Sequence, residues 1–238
     1  MKKLLCLFSF FMFAYAFSQS ITPRFGLNVD QASYSSKIIT YPGITYNHRW
    51  IFPNYYHSDF ERLDYGNGKS YKMGYHIGAN VEFPIFRFLG VESGIFYTTR
   101  GESIKGNAKE SNSEIIRGTY TDRTNIHTIY TPLNLKFNFR VYNELYFNIL
   151  LGCYMDIFLS GKRKFTIRSY SEETKIPFGN DGYKRYGFSP TLGAGITYKS
   201  FVFRFTFDGW TNYTSETKTI STSSFTFSLG YKFDLKKK

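Results

Sequence analysis

The chain has 238 residues, enough for one barrel or sandwich domain and too few for a second domain of ordinary size. Aromatic residues make up 21% of it, with 26 Phe and 21 Tyr against 2 Trp, yet the mean hydropathy is slightly negative. That pairing is unusual for a soluble enzyme and natural for a β-barrel in lipid, where apolar outward residues and polar lumen residues cancel in the mean. The formal charge of +12 suits nucleic acid or an anionic membrane surface.

The chain opens with Lys2 and Lys3, continues through an apolar run from Leu4 to Phe17, and reaches the small residue Ser18 before Gln19. These are the three regions of a secretory signal peptide. Ala16 and Ser18 occupy the small-residue positions, so cleavage is predicted after Ser18, with residues 1–18 as signal peptide and 19–238 as the exported domain. A membrane anchor is the competing reading, but the run is too short to span and no stop-transfer pattern follows. Cys6 leaves with the peptide, and Cys153 alone remains, so neither an internal disulfide nor a Cys-based metal site is expected.

Past the leader no stretch of 18 or more apolar residues occurs, and alternation with a period of two takes its place. In the first predicted strand Phe25, Leu27 and Val29 alternate with Arg24, Gly26, Asn28 and Asp30. In the second, residues 71–83, Tyr71, Met73, Tyr75 and Ile77 alternate with Lys72, Gly74, His76 and Gly78. The third, residues 88–99, sets Leu89, Val91, Ile95 and Tyr97 outward and Gly90, Glu92 and Gly94 inward. The fourth carries Ile129, Leu133, Leu135 and Phe137 against Asn134, Lys136 and Asn138, and the fifth, residues 145–159, turns Asn148, Gly152, Tyr154 and Asp156 inward. The sixth, residues 186–198, turns Gly187, Ser189, Thr191, Gly193, Gly195 and Thr197 inward. The seventh, residues 201–208, has four Phe on one face, and the last, residues 225–235, repeats the pattern.

Short links at residues 84–87, 141–144 and 199–200 alternate with long polar ones at 31–70, 100–125, 161–184 and 211–224. Eight strands of roughly ten residues with this asymmetry predict an all-β fold, an eight-stranded antiparallel up-and-down transmembrane β-barrel with short periplasmic turns and long outside loops. A soluble lipocalin-like barrel also alternates. Its apolar face would be the inside, however, and here the opposite face is rich in Gly and small residues, as a crowded lumen requires and a water-facing surface does not.

Several segments carry a resemblance. They are residues 74–78 (GYHIG), 91–97 (VESGIFY) followed by Arg100-Gly101, 130–136 (YTPLNLK), 193–195 (GAG) and 228–233 (SLGYKF). In this order the chain resembles the PorT-like outer-membrane β-barrel family of Bacteroidetes, related in architecture to the small OmpA and OmpX barrels. The chain departs from it by running past the closing aromatic residue through Asp234 to Lys238. The resemblance implies a barrel in the outer membrane and brings no catalytic residue, since fold does not decide function.

Chemistry is sought in three places. The inward parity carries Asp30, Lys72, Glu82, Glu92, Lys136, Asp156, Arg204, Asp208, Lys232 and Asp234. Buried charges must pair, so Glu92, Lys136, Arg204, Lys232, Asp156 and Asp208 are expected to form a lumen network that plugs the barrel, the alternative being an ion or proton path. Lys162, Arg163, Lys164 and Arg168 follow the fifth strand and are predicted to sit at the outer rim, where Lys and Arg can hold lipid phosphate. Of the four His, His48 and His57 fall among the aromatic residues of the first long loop, His76 faces inward, and His127 could meet Ser113 or Asp122 in a lipid-modifying enzyme. No known catalytic or metal-ligating spacing links them. The expected protein is a non-enzymatic monomer without a cofactor and without a nucleic-acid partner. Its partners would be outer-membrane lipid and an extracellular ligand or protein held by the loops. An enzyme acting on lipid, or a narrow pore or secretion accessory, is the alternative.

Overall fold

The computed structural model describes residues 20–33, 39–40, 62–64, 69–109, 116–167, 170–179, 184–214 and 219–235. The predicted signal peptide, His48, His57, Ser113 and Arg168 lie outside the described residues.

Eight long strands form the wall: β1 (Ser20–Ser33), β2 (Lys69–Pro84), β3 (Leu89–Lys109), β4 (Ile116–Tyr142), β5 (Leu145–Ile167), β6 (Tyr186–Tyr198), β7 (Phe201–Thr214) and β8 (Thr219–Tyr231). Each pairs antiparallel with its sequence neighbours, and β1 pairs with both β2 and β8, which closes the ring. Closure removes the open strand edges, the condition for placing a sheet in lipid. The three short connections are bends or turns at 85–88, 143–144 and 199–200. Asn143 and Lys199 take positive φ there (36° and 55°), the left-handed conformation that tight hairpin turns require.

The alternation is realised in side-chain placement. Along β6 the odd positions Gly187 to Thr197 are turned inward, while Tyr186, Phe188, Leu192, Ile196 and Tyr198 are exposed. Phe25, Leu27, Ile77, Leu133, Leu135, Phe203, Phe227 and Leu229 continue this exposed apolar surface around the ring. In water such a surface would be untenable; facing acyl chains it needs no cover. Inside, backbone crowding selects glycine. A Cβ on Gly26 would lie 1.9 Å from the Phe227 carbonyl oxygen and 2.5 Å from His76 Cε1.

Two irregularities interrupt the wall. Pairing of β3 with β4 lapses between Ser93/Leu133 and Phe96/Tyr130, where Pro132 has no N–H to donate, and the Ser93 hydroxyl instead donates to the Pro132 carbonyl at 2.9 Å. Between β4 and β5 the register shifts from Thr128↔Phe158 to His127↔Ser160, leaving Leu159 as an extra residue. This bulge reverses the parity of β5 beyond it.

The strands also run further than hydrophobic alternation indicates. The predicted loops at 100–125 and 161–184 are largely ladder: β3 and β4 pair out to Lys109 and Ile116, and a further strand, Tyr170–Ile176, pairs with the end of β5. Arg62–Asp64 joins the other edge of this extension on β3, and Ile39–Thr40 joins Arg62–Asp64. A sheet therefore stands above the barrel on the side away from the short turns. At the other end β8 stops at Tyr231, Lys232 N–H donates to the Ser200 carbonyl at 2.7 Å, and Phe233–Asp234 resumes pairing with Ser20 and Ile21.

Candidate functional site

The lumen is filled in layers from the short-turn end upward. Lys136 Nζ lies 2.8 Å from Glu82 Oε2, and Lys232 Nζ lies 3.7 Å from the same oxygen. Asn138 donates to Glu82 at 3.3 Å and accepts from Asn148 at 3.0 Å, and Asn148 accepts from Thr197 at 3.0 Å. One layer up, Arg204 binds Glu92 through both terminal nitrogens, one at 2.7 Å, while Asn80 donates to the same carboxylate. The fork-to-carboxylate geometry is the strongest form of such a pair. Both side chains are 2% exposed, so neither charge has water to fall back on.

Above this the guanidinium of Arg24 lies 4.8 Å from the Phe96 ring centre. With Arg100, Arg204 and His76 it faces a cavity of about 30 Å³, room for roughly two waters. Arg100 then meets Asp208 at 3.2 Å and Asp156 at 3.6 Å, between the rings of Tyr130 and Tyr154. Thr191 and Tyr130 donate to Asp208 at 2.9 and 3.3 Å. At the outer end Asp30 accepts from the Gly101 N–H at 2.9 Å and from Asn28 at 3.1 Å, and Lys72 donates to the Thr124 carbonyl at 2.6 Å.

Of the six charged residues that sequence parity assigns to the lumen network, Glu92 and Arg204 thus meet directly. Lys136 and Lys232 share Glu82, and Asp156 and Asp208 share Arg100. Sequence reasoning misses this last cation because it places residue 100 in a loop. Carrying the parity of Glu92 four steps of two along β3 finds it. Asp234 is a correction: parity predicts it inward, yet its side chain is 72% exposed and pairs with Lys232, 3.6 Å away, because the break after Tyr231 resets the strand.

The basic group at the outer rim is also rearranged. Lys162, Arg163 and Lys164 do not lie in a loop but in β5, beyond the Leu159 bulge. Arg163 faces inward, where its Nε donates to both oxygens of buried Asp122 at 2.9 and 3.0 Å. It is therefore committed to a carboxylate and not offered to an outside phosphate. Lys162 and Lys164 face outward and are exposed. Lys162 donates to Glu173 at 2.7 Å, and this hydrogen bond, with Lys162 and Lys164 nearby, holds the Glu173 carboxyl below its ordinary range.

His127 faces outward, stacked on Tyr97 with Nδ1 2.5 Å from its hydroxyl, and the Tyr75 ring stands 6.1 Å from that of Tyr97. Asp122, the acid that could have served it, belongs to the opposite face of β4 and is held by Arg163. The aromatic trio instead marks the upper edge of the lipid-facing surface, as aromatic girdles do.

Among known proteins, the family described as outer membrane protein beta-barrel domain matches residues 17–215. Three solved structures are similar: Ail, the attachment invasion locus protein of Yersinia pestis, crystallised with the heparin analogue sucrose octasulfate, at 15% identity, 90% of this chain and 98% of that one, TM-score 0.37; Neisserial surface protein A, at 8% identity, 92% and 98%, TM-score 0.43; and OprG of Pseudomonas aeruginosa, at 10% identity, 91% and 97%, TM-score 0.37. No curated protein matches the chain. The family match spans most of the chain, and the strands it covers belong to a closed ring with an apolar exterior. The chain belongs to the outer membrane protein β-barrel domain family and resides in the outer membrane.

Proposed function

We propose that the protein is a non-enzymatic, non-conducting barrel, PorT-like and monomeric, that displays a binding sheet on the cell surface. One observation carries the reading: the ladder does not end at the rim but continues for several residue pairs beyond His127, as a sheet from Arg62–Asp64 across β3, β4 and β5 to Tyr170–Ile176. Ordered strands held clear of the bilayer serve neither permeation nor chemistry on lipid, whereas they give a partner a rigid surface at low entropic cost. The lumen supports the same reading, because charged layers paired across the ring leave room for waters and not for a continuous path.

Purified protein in a planar bilayer tests the closed lumen: no steps of conductance should appear for wild type, while Arg204→Ala should admit small, flickering currents. Steady wild-type conductance would replace this reading with the pore. The enzymatic alternative predicts that His127→Ala abolishes a change in membrane lipid; for a binding barrel that variant leaves the lipid profile as it was.

A further inference from the structure

The reading of the projecting sheet as a binding surface leaves its partner open, and the two faces of that sheet differ sharply in charge. Beyond the Leu159 bulge the outward positions are Ser103 and Lys105 on β3, Thr121, Arg123 and Asn125 on β4, Lys162, Lys164 and Thr166 on β5, and Ser171, Glu173 and Lys175 on the last strand. The register sets Arg123 beside Lys164, Lys162 beside Lys175, and Lys105 beside Thr121. Lys105, Arg123, Lys162, Lys164 and Lys175 are all exposed, and Glu173 is the one acid among these outward positions. Like charges on neighbouring strands repel, so a sheet gains nothing from this arrangement by itself.

Height decides what such a face can meet. His127 and Tyr97 mark the top of the apolar surface, and Lys162 pairs two residues above His127, with Lys164 two further on. Two residues of strand rise about 6.8 Å, so with a strand tilt of about 40° the two lysines stand roughly 5 and 10 Å above the girdle. The polar layer on each side of a bilayer is about 5–8 Å deep, and a lysine reaches several ångströms more. The basic face thus looks sideways into the head groups of the outer leaflet and not up into the medium.

Resting on the binding-sheet reading, we infer that this face holds the phosphate groups of a glycolipid molecule lying against the barrel wall. Arg123 and Lys164 are the central pair, and Lys105, Lys162 and Lys175 complete the cradle. Lys162 exchanges Glu173 for phosphate readily, since both partners are more than half exposed and the pair is weak. Arg163, turned inward to Asp122, takes no part.

The test uses the full chain refolded in detergent and a diphosphorylated lipid A as the probe, with the same glycolipid stripped of phosphate beside it. Wild type should retain lipid A through gel filtration at moderate salt. A variant with Arg123, Lys162 and Lys164 all changed to Gln should retain it at least tenfold less, while keeping its heat-dependent gel shift. A variant losing similar charge at the short-turn end, Arg87→Gln with Lys199→Gln, should match wild type. Equal retention by the triple variant, or equal retention of the phosphate-free lipid, would overturn the assignment. Failure here with a still non-conducting wild-type barrel removes the glycolipid alone, whereas conductance would remove the binding-sheet reading beneath it.

Discussion

Within the lipid and above it the same antiparallel wall wears opposite chemistry. In the bilayer the outer face is Phe, Leu, Ile and Tyr, and the inner face is charge paired against charge. Above the rim the outer face carries Lys105, Arg123, Lys162 and Lys164. There the inner face becomes apolar, with Ile126 and Phe158 packed by Ile176 and Phe178, and Tyr120 stacked on Phe165. A ladder is indifferent to what it carries, and the surroundings on each side set the pattern. Lipid rewards apolar side chains outside and forces polar groups to satisfy one another inside; water restores the ordinary order of a sheet with one buried face.

The largest test of this contrast lies in the lumen. Arg204→Ala should cost about 3–5 kcal/mol in reversible urea unfolding from detergent, because it leaves Glu92 buried without its partner. Pairing Arg204→Met with Glu92→Leu should recover much of the loss. If the single variant unfolds like wild type, the lumen charges are solvated and the contrast weakens. Next comes the apolar patch above the rim: Phe158→Ala, at a fully buried position, should cost about 3 kcal/mol. Amide exchange should quicken in Tyr170–Ile176 while β1 and β8 stay protected. Loss of protection throughout the ring would show that sheet and barrel fold as one unit.

A smaller effect separates the two kinds of charge. Asp122→Asn breaks a pair whose arginine is 20% exposed and whose acid is 1% exposed, so about 1–2 kcal/mol is expected by the same unfolding measurement. The smallest concerns Lys162→Gln, which should leave the unfolding midpoint in place and raise the Glu173 titration observed by carbon NMR toward its ordinary value. The sign follows from the depressed carboxyl: what the pair contributes is present above the ordinary carboxylate range and vanishes as pH falls through the lowered value.

The barrel is legible in the sequence because lipid writes its requirement directly into parity. Phe201, Phe203, Phe205 and Phe207 against Arg204 and Asp208 allow one arrangement, and β7 adopts it. The projecting strands are not legible by that sign. Residues 119–125 alternate just as strictly, but between Thr, Arg and Asn on one side and Tyr, Asp and Thr on the other, so no hydrophobic period remains to detect. Arg100 is hidden by the same silence. The basic rim escapes for another reason: Leu159 bulges out of a run of residues whose local sequence gives no turn signal, and only the pairing partner on β4 reveals it.

That one extra residue acts as a frame shift for geometry. Without it Lys162 and Lys164 would fall on the parity of Asp156 and Phe158, and Arg163 would turn to the outside. Deleting or restoring a single codon there would recast the electrical face that the cell shows its surroundings, with the lipid-facing zone below unchanged. Lineages exposed to phage or antibodies thus have a short mutational route to a new surface that does not pass through an unfolded barrel.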